Sequence, residues 1–268
     1  MKTFVASDGL RLHYVVDDFT DPWRVSETLI LLHAAMGSSR RFYAWVPHLA
    51  RHMRVVRLDL RGHGRSEIPD ILHELTIDRL ALDVVELLDE LGCESAQVAG
   101  SSAGGIVAQQ VAITYPHKVG SLALFASKPG MKKSNIDYGT WLSHIEKKGL
   151  RGFLEDTIQI RFDLSQQAPA FIEWFLDESA RNDPEFLARF VTLMASVDLR
   201  DQLGKIQCPT LIVVPGNDPL GPIDYYQVFR ERIPNVEFVV YDGLPHNITD
   251  AVPDRCAEEL KRFLLKLG

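Results

Sequence analysis

Three side chains whose combination can break an acyl bond stand far apart in this chain of 268 residues: Ser102, Asp218 and His246. Ser102 is the centre of Gly100-Ser101-Ser102-Ala103-Gly104, a G-x-S-x-G pattern that follows the apolar run Ala96 to Ala99 and opens a helical stretch. That strand-turn-helix context is what the motif requires. A serine hydroxyl is a weak nucleophile at its own pKa, so it must sit exposed on a sharp turn, beside a base and near backbone donors. Gly100 and Gly104 permit a strained backbone and a close strand-helix approach, and Ala103 supplies an N–H that can face a developing oxyanion. Ser101 is flanked two residues away by Ala99 and Ala103, which lack that freedom, so Ser102 is the predicted nucleophile. A glycine-rich turn without chemistry could carry the same five residues, and the partners decide against it.

His246, in Leu244-Pro245-His246-Asn247, lies after the last strand-like run and before the terminal helix, at the sheet edge from which a base for Ser102 must come. The eight other histidines fall in loop motifs, in the opening hairpin or on helices and their ends, where packing or solvation explains them. An imidazole base needs a carboxylate to fix its tautomer and stabilise its cation. Asp218 follows the run Thr210 to Val214 through Pro215-Gly216-Asn217, with Pro219 stiffening the turn. Gly-Asn-Asp-Pro is also ordinary turn chemistry. Asp242 stands too close to His246 to be preferred, and Ala126-Ser127-Lys128 offers no carboxylate.

The elements that must position these groups alternate along the chain. Thr3 to Ala6 and Leu10 to Val16 read as a hairpin across Ser-Asp-Gly, and Thr28 to Leu32, Arg54 to Leu58, Ala96 to Ala99 and Ser121 to Phe125 read as buried parallel strands. Between them Arg41 to Arg51, Ile77 to Leu91 and Ala103 to Tyr115 carry helical spacing. From about Met131 to Leu203 only helical patterns occur: Trp141 to Lys147, Leu150 to Phe162, Pro169 to Glu178 and Glu185 to Ser196. Thr210 to Val214 and Val236 to Val240 resume the strands, and Val252 to Leu267 closes as an amphipathic helix. The pattern predicts an α/β class, with a mostly parallel, doubly wound sheet as residues 1–127 and 205–268 and a helical lid as residues 128–204.

Composition narrows the function classes. With 46% hydrophobic and 24% charged residues the chain can bury one large core. A net charge of -7 argues against nucleic acid or an anionic membrane surface as partner, and a small molecule is the expected ligand. Cys93, Cys208 and Cys256 are widely spaced and odd in number, so neither a disulfide framework nor a metal site is expected, and a reducing, cytoplasmic compartment fits. The start leaves no room for a signal peptide's apolar region, and no window approaches the ~18 apolar residues of a membrane span. A homo-oligomer remains compatible with all of this.

Two further motifs extend the triad into a resemblance. Leu31-Leu32-His33-Ala34-Ala35-Met36-Gly37 looks like a His-Gly loop after a strand, and Asp59-Leu60-Arg61-Gly62-His63-Gly64-Arg65-Ser66 matches D-x-R-G-H-G-x-S. With Gly100 to Gly104, Asp218 and His246, the chain resembles the α/β-hydrolase fold family over nearly its full length. Within that family it is most similar to the 3-oxoadipate enol-lactonase type, through Met194 to Leu203, Ile206 to Leu211 and Arg161-Phe162. The resemblance implies a cofactor-free enzyme whose oxyanion donors are the N–H groups of Ala35 and Ala103. It departs at Ala34, which replaces a glycine, at the shifted Pro215-Gly216 and at Ser101. Arg61 and His63 are expected to brace their turn rather than to touch substrate.

Lys128 to Arg151 carries six basic residues, Lys128, Lys132, Lys133, Lys147, Lys148 and Arg151, against Asp137 and Glu146. Lys132 there and Arg161 further along are the candidates to receive a substrate carboxylate, although a solvated surface explains such a run equally well. Trp141, Phe153, Phe162, Phe171, Trp174 and Phe175 are expected to pack the lid, with some lining the pocket. The expected function is hydrolysis of an ester or lactone of a small, carboxylated organic acid. A rival keeps the triad and cleaves carbon-carbon bonds, as meta-cleavage-product hydrolases do, but these usually have tryptophan where Asn247 stands. A receptor-like protein that keeps the fold only for ligand capture is the rival of another class.

Overall fold

In the computed structural model, which describes residues 2–132, 137–221 and 223–267, eight strands form one sheet. They are β1 (Lys2–Val5), β2 (Arg11–Asp17), β3 (Thr28–Leu32), β4 (Arg54–Leu58), β5 (Ala96–Ser101), β6 (Val119–Phe125), β7 (Thr210–Pro215) and β8 (Val236–Tyr241). Their order is β1-β2-β4-β3-β5-β6-β7-β8. The opening hairpin is antiparallel, β2 joins β4 antiparallel, and every later pairing is parallel. All residues of β3 and β7 are buried, which is why they read as unbroken apolar runs rather than alternating ones.

Alternate side chains of each strand feed two cores. Ile30, Leu32, Val98 and Leu122 pack towards α2 (Ile77–Glu90) and α3 (Ala103–Thr114). Leu29, Leu31, Ala99 and Val213 pack on the opposite face, where α10 (Pro253–Leu265) contributes Leu260 and Phe263. Thr76 caps the start of α2 by accepting from the Arg79 N–H.

Between β6 and β7 the chain leaves the sheet as four helices: α4 (Tyr138–Asp156), α5 (Ile158–Arg161), α6 (Pro169–Ser179) and α7 (Pro184–Ser196). Their inner faces make a third core, with Phe153, Leu154, Phe162, Phe175 and Leu187 at its centre and Met36 of the sheet domain packed into it. Gly149, at φ 72°, kinks α4 where two separate helices are expected, and the second of these stops at Asp156. The expected helix over Arg41 to Arg51 is a 3-10 turn, Ser39–Phe42, and a single turn α1 (Val46–Leu49). Pro47 explains the break, since it has no N–H for a continuing ladder. Two helices complete the fold: α8 (Asp224–Arg232), which no sequence pattern announced, and the one-turn α9 (Ile248–Ala251). Only Tyr226 and Phe229 of α8 are buried, too thin a stripe to register as periodicity. Among the described residues no helix is long and apolar enough to cross a membrane.

Candidate active site

β5 and α3 meet so closely that a Cβ on Gly100 would lie 2.5 Å from the Gly104 carbonyl oxygen, and one on Gly104 would strike the Leu32 and His33 carbonyls. Between them Ser102 is forced to φ 49°, a left-handed conformation that costs a non-glycine residue about 1 to 3 kcal/mol. Serine at a helix N-terminus ordinarily turns its hydroxyl onto a first-turn N–H. Ser102 makes no such cap; its Oγ lies 3.0 Å from His246 Nε2 instead. Ser101, its neighbour, points its hydroxyl at Thr249, 3.0 Å away.

His246 sits in the loop after β8, and its Nδ1 lies 2.9 Å from Asp218 Oδ2 in the loop after β7. A carboxylate there makes Nδ1–H the donor, which leaves the Nε2 lone pair to accept from the Ser102 hydroxyl. The two loops are tied by Gly216 N–H to the Tyr241 carbonyl at 2.9 Å and Asn217 N–H to the Leu244 carbonyl at 3.0 Å. Asp218 also accepts from Leu220 N–H at 2.9 Å and from the Tyr226 hydroxyl at 3.0 Å. Burial pushes its carboxyl up, yet His246, the Leu220 N–H and Tyr226 together hold it below the ordinary carboxylate value. The acid is therefore charged at neutral pH, as a partner for an imidazolium must be.

Above Ser102 lies a cavity of about 80 Å³, bounded by the sheet loops below and by the inserted helices above. Ala35 and Ala103 both line it. Neither N–H is spent on another acceptor among the described residues. Met36 at φ 60° and Ala126 at φ 49° line it as well, so all three non-glycine residues with positive φ among those described border this one space. Backbone strain of that kind is sustained where a site must be held in shape.

The basic candidates divide. Arg161 lines the cavity and is 7% exposed. Lys132, the other expected carboxylate partner, is exposed and lines a separate outer groove with Asp198 and Arg232 rather than the cavity above Ser102. The cation that this stretch does send into the cavity is Lys128, whose Nζ donates to the Leu220 carbonyl at 2.5 Å. Lys147 is exposed, Lys148 pairs with Asp156, and Arg151 pairs with Glu155, Glu173 and Asp177, a solvated surface. Lys133 lies outside the described residues. Of the insertion's aromatic residues, Trp141 and Phe175 line the cavity, while Phe153 and Phe162 are buried in the insertion core.

Sequence reasoning missed Arg41 and Tyr226. Arg41 lines the cavity from the turn that ends at Phe42, and Tyr226 reaches Asp218 from α8. Two adjacent arginines before an apolar run and a tyrosine on a polar helix carry no spacing signal. Arg61 and His63 brace the fold as expected: Arg61 grips Asp83 through two 2.6 Å bonds, and the His63 ring packs on Phe186 and Phe190 of α7.

Comparison with known proteins agrees with this architecture. Residues 27–156 match the model of the alpha/beta hydrolase fold family. The chain is 26% identical to a protein of Agrobacterium fabrum named as a putative carbamate hydrolase, over 95% of this chain and 98% of the other. It is 28% identical to a 3-oxoadipate enol-lactonase of Acinetobacter baylyi, over 74% of this chain and 75% of that protein. The crystal structure of an enol-lactonase from Burkholderia xenovorans superposes with a TM-score of 0.89 at 21% identity, covering 98% of this chain and 100% of that one, a likeness of fold. Sheet order, inserted helices and these matches agree that the chain has the α/β-hydrolase fold, and its sequence is similar to that of an enol-lactonase.

Proposed function

We propose that this α/β-hydrolase cleaves an ester or lactone of a small, carboxylated organic acid by a Ser-His-Asp mechanism that draws on no cofactor. The observation that carries the reading is the 3.0 Å contact from Ser102 Oγ to His246 Nε2, made by a serine whose backbone is strained and whose hydroxyl caps nothing. Ser102 Oγ attacks the carbonyl carbon as His246 Nε2 takes its proton. The N–H groups of Ala35 and Ala103 receive the tetrahedral oxyanion, and Asp218 stabilises the imidazolium. Collapse of the intermediate expels the alkoxide, which takes the proton from His246; in a lactone that alkoxide stays on the same molecule. Water, deprotonated by His246, then cleaves the acyl-enzyme and restores Ser102. The inserted helices act as a lid over this chemistry, and Arg161 is the basic residue that meets the substrate's carboxylate. Relatives named as a carbamate hydrolase and an enol-lactonase are consistent with attack at a carbonyl.

The test is a screen of p-nitrophenyl esters and lactones with Ser102→Ala, His246→Ala and the double variant. Each single change should lower kcat by about 10⁶, and the double variant should lose little more, because the pair acts as a unit. Additive losses, or turnover that survives Ser102→Ala, would reject the mechanism.

A further inference from the structure

The residue before Ser102 starts a buried chain of hydrogen bonds that the Ser-His-Asp mechanism does not use. Thr249 Oγ1 lies 3.0 Å from Ser101 Oγ and 3.2 Å from Asp250 Oδ2. A hydroxyl has one hydrogen and a carboxylate only accepts, so Thr249 donates to Asp250 and Ser101 donates to Thr249. Asp250 Oδ1 accepts in turn from Arg41 Nε. Arg41 Nη1 donates to Ser179 Oγ at 3.2 Å, and the guanidinium lies 4.0 Å above the Phe175 ring. Ser101, Thr249, Asp250, Arg41 and Ser179 are all buried. The chain therefore runs from the end of β5, through α9, to α6 of the inserted helices.

α9 is a single turn, too short to hold its own shape without packing. Its first residue is tied to the base, because Ile248 N–H donates to the His246 carbonyl at 2.9 Å. Whatever fixes this turn thus fixes the imidazole. Arg41 and Trp45, whose Nε1 donates to the Thr249 carbonyl at 3.1 Å, hold the turn to the segment after β3. Ser101 holds it to the strand that delivers the nucleophile. Two adjacent serines therefore grip one loop at two points, Ser102 at the imidazole and Ser101 at the turn behind it.

We propose that Thr249 and Asp250 are positioning residues, which clamp the turn behind His246 to the residue before Ser102 and so fix the 3.0 Å approach of Nε2 to Oγ. The clamp rests on the serine-hydrolase reading for the reaction which that approach serves. Its physical basis is a closed loop of contacts, from Ser102 to His246, along the backbone to Thr249, and back through Ser101. Asp250 gives the loop its direction: as a carboxylate paired with Arg41 it takes the Thr249 hydrogen, which leaves the Thr249 oxygen free to accept from Ser101. Opening the loop lets the imidazole drift from the hydroxyl, and a misplacement of about 1 Å costs about 100-fold in rate.

The test is the rate at which the full chain is inactivated by diisopropyl fluorophosphate, a reaction in which Ser102 Oγ displaces fluoride and which requires no knowledge of the substrate. It is read beside p-nitrophenyl acetate turnover and the urea midpoint of each variant. Thr249→Val keeps the shape of the side chain and removes its hydroxyl. It should slow inactivation and kcat by about tenfold to 100-fold and leave KM within about twofold, and Thr249→Ser should restore both rates. Ser101→Ala should cost a similar factor, and the double variant little more than either single change, because both open the same loop. Asp250→Asn should act in the same direction, and Thr249→Val carries the test where that variant fails to fold. A folded Thr249→Val protein that reacts at the unaltered rate, or losses that multiply in the double variant, would overturn the clamp and leave the hydrolase standing. A Ser102 that does not react with the reagent in the unaltered chain would reject the serine-hydrolase reading, and the clamp with it.

Discussion

Among the described residues two aspartate-histidine pairs are buried, with nearly equal geometry, and they have opposite surroundings. His246 Nδ1 lies 2.9 Å from Asp218 at the ends of β8 and β7; His13 Nδ1 lies 2.8 Å from Asp59, between β2 and the loop after β4. Each aspartate accepts further bonds, Asp218 from Leu220 N–H and Tyr226, Asp59 from the N–H groups of Ser39 and Arg65. Burial opposes ionisation at both, and in both the hydrogen bonds and the neighbouring imidazole win, with Asp59 lowered to about 2. The difference begins at the far ring nitrogen. His246 Nε2 meets a serine at the floor of a cavity; His13 Nε2 is buried and meets nothing. An oriented imidazole is therefore only half of what the proposed mechanism needs. The other half is a strained turn bearing a hydroxyl, unspent N–H groups and an enclosed space, and only the crossing of β5 into α3 supplies them.

Exchanging carboxylate for amide in each pair is the sharpest way to break that comparison. Asp218→Asn should lower kcat by roughly 10⁴, since the imidazole loses its tautomer, with little change in urea midpoint. Asp59→Asn should do the opposite. Its shift from 3.8 to about 2 corresponds to about 2 kcal/mol of stability. Because the folded value is depressed, that contribution is complete above the unfolded value of 3.8 and is lost as pH falls through about 2. At pH 7 the variant should therefore unfold at lower urea, with kcat/KM within about tenfold of wild type, the margin expected away from the reacting atoms. A 10⁴ rate loss in Asp59→Asn would mean that the second pair is part of the chemistry.

His63 extends the contrast between His246 and a histidine held in packing. Burial, and then neighbouring His33, push it down to about 3 from 6.5. The unfolded chain takes up this proton first, so the stability His63 contributes is intact above pH 6.5 and drains as pH falls towards 3, at about 1.4 kcal/mol per pH unit. Urea midpoints at pH 7, 6 and 5 should fall less steeply in His63→Gln by that amount. Equal slopes would show that the ring titrates freely in the folded protein.

The smallest expected effect concerns Tyr226, whose hydroxyl reaches Asp218 at 3.0 Å and has no counterpart at Asp59. Tyr226→Phe should reduce kcat by about tenfold, the value of one hydrogen bond to a charged acceptor, and leave KM unaltered. A change in KM alone would place the tyrosine in substrate binding instead.

Much of this architecture was legible along the chain because strands covered on both faces must be apolar throughout, so β3, β6 and β7 stand out as runs such as Thr28 to Leu32. The serine turn was legible for another local reason, since glycines at 100 and 104 are demanded by backbones in contact. Helix limits were less so. Pro47 broke a stretch whose apolar spacing looked continuous, and α8 buries only two side chains. Among the basic residues, Lys132 and Lys128 are four positions apart and equally charged, yet one is exposed and the other is 6% exposed beside the cavity.

Local chemistry determined the elements, the strained serine and the loops that carry His246 and Asp218, because each depends on neighbours within a few residues. Which cations line the cavity was decided only when the helices between β6 and β7 folded back over the sheet. Arg41 and Arg161 are 120 residues apart in number, and they share a cavity because Ser179, Phe175 and Asp250 hold one while Thr157 and Asn247 hold the other. Burial and pairing are properties of that closed space, and a charge acquires them from its surroundings rather than from its place in the chain.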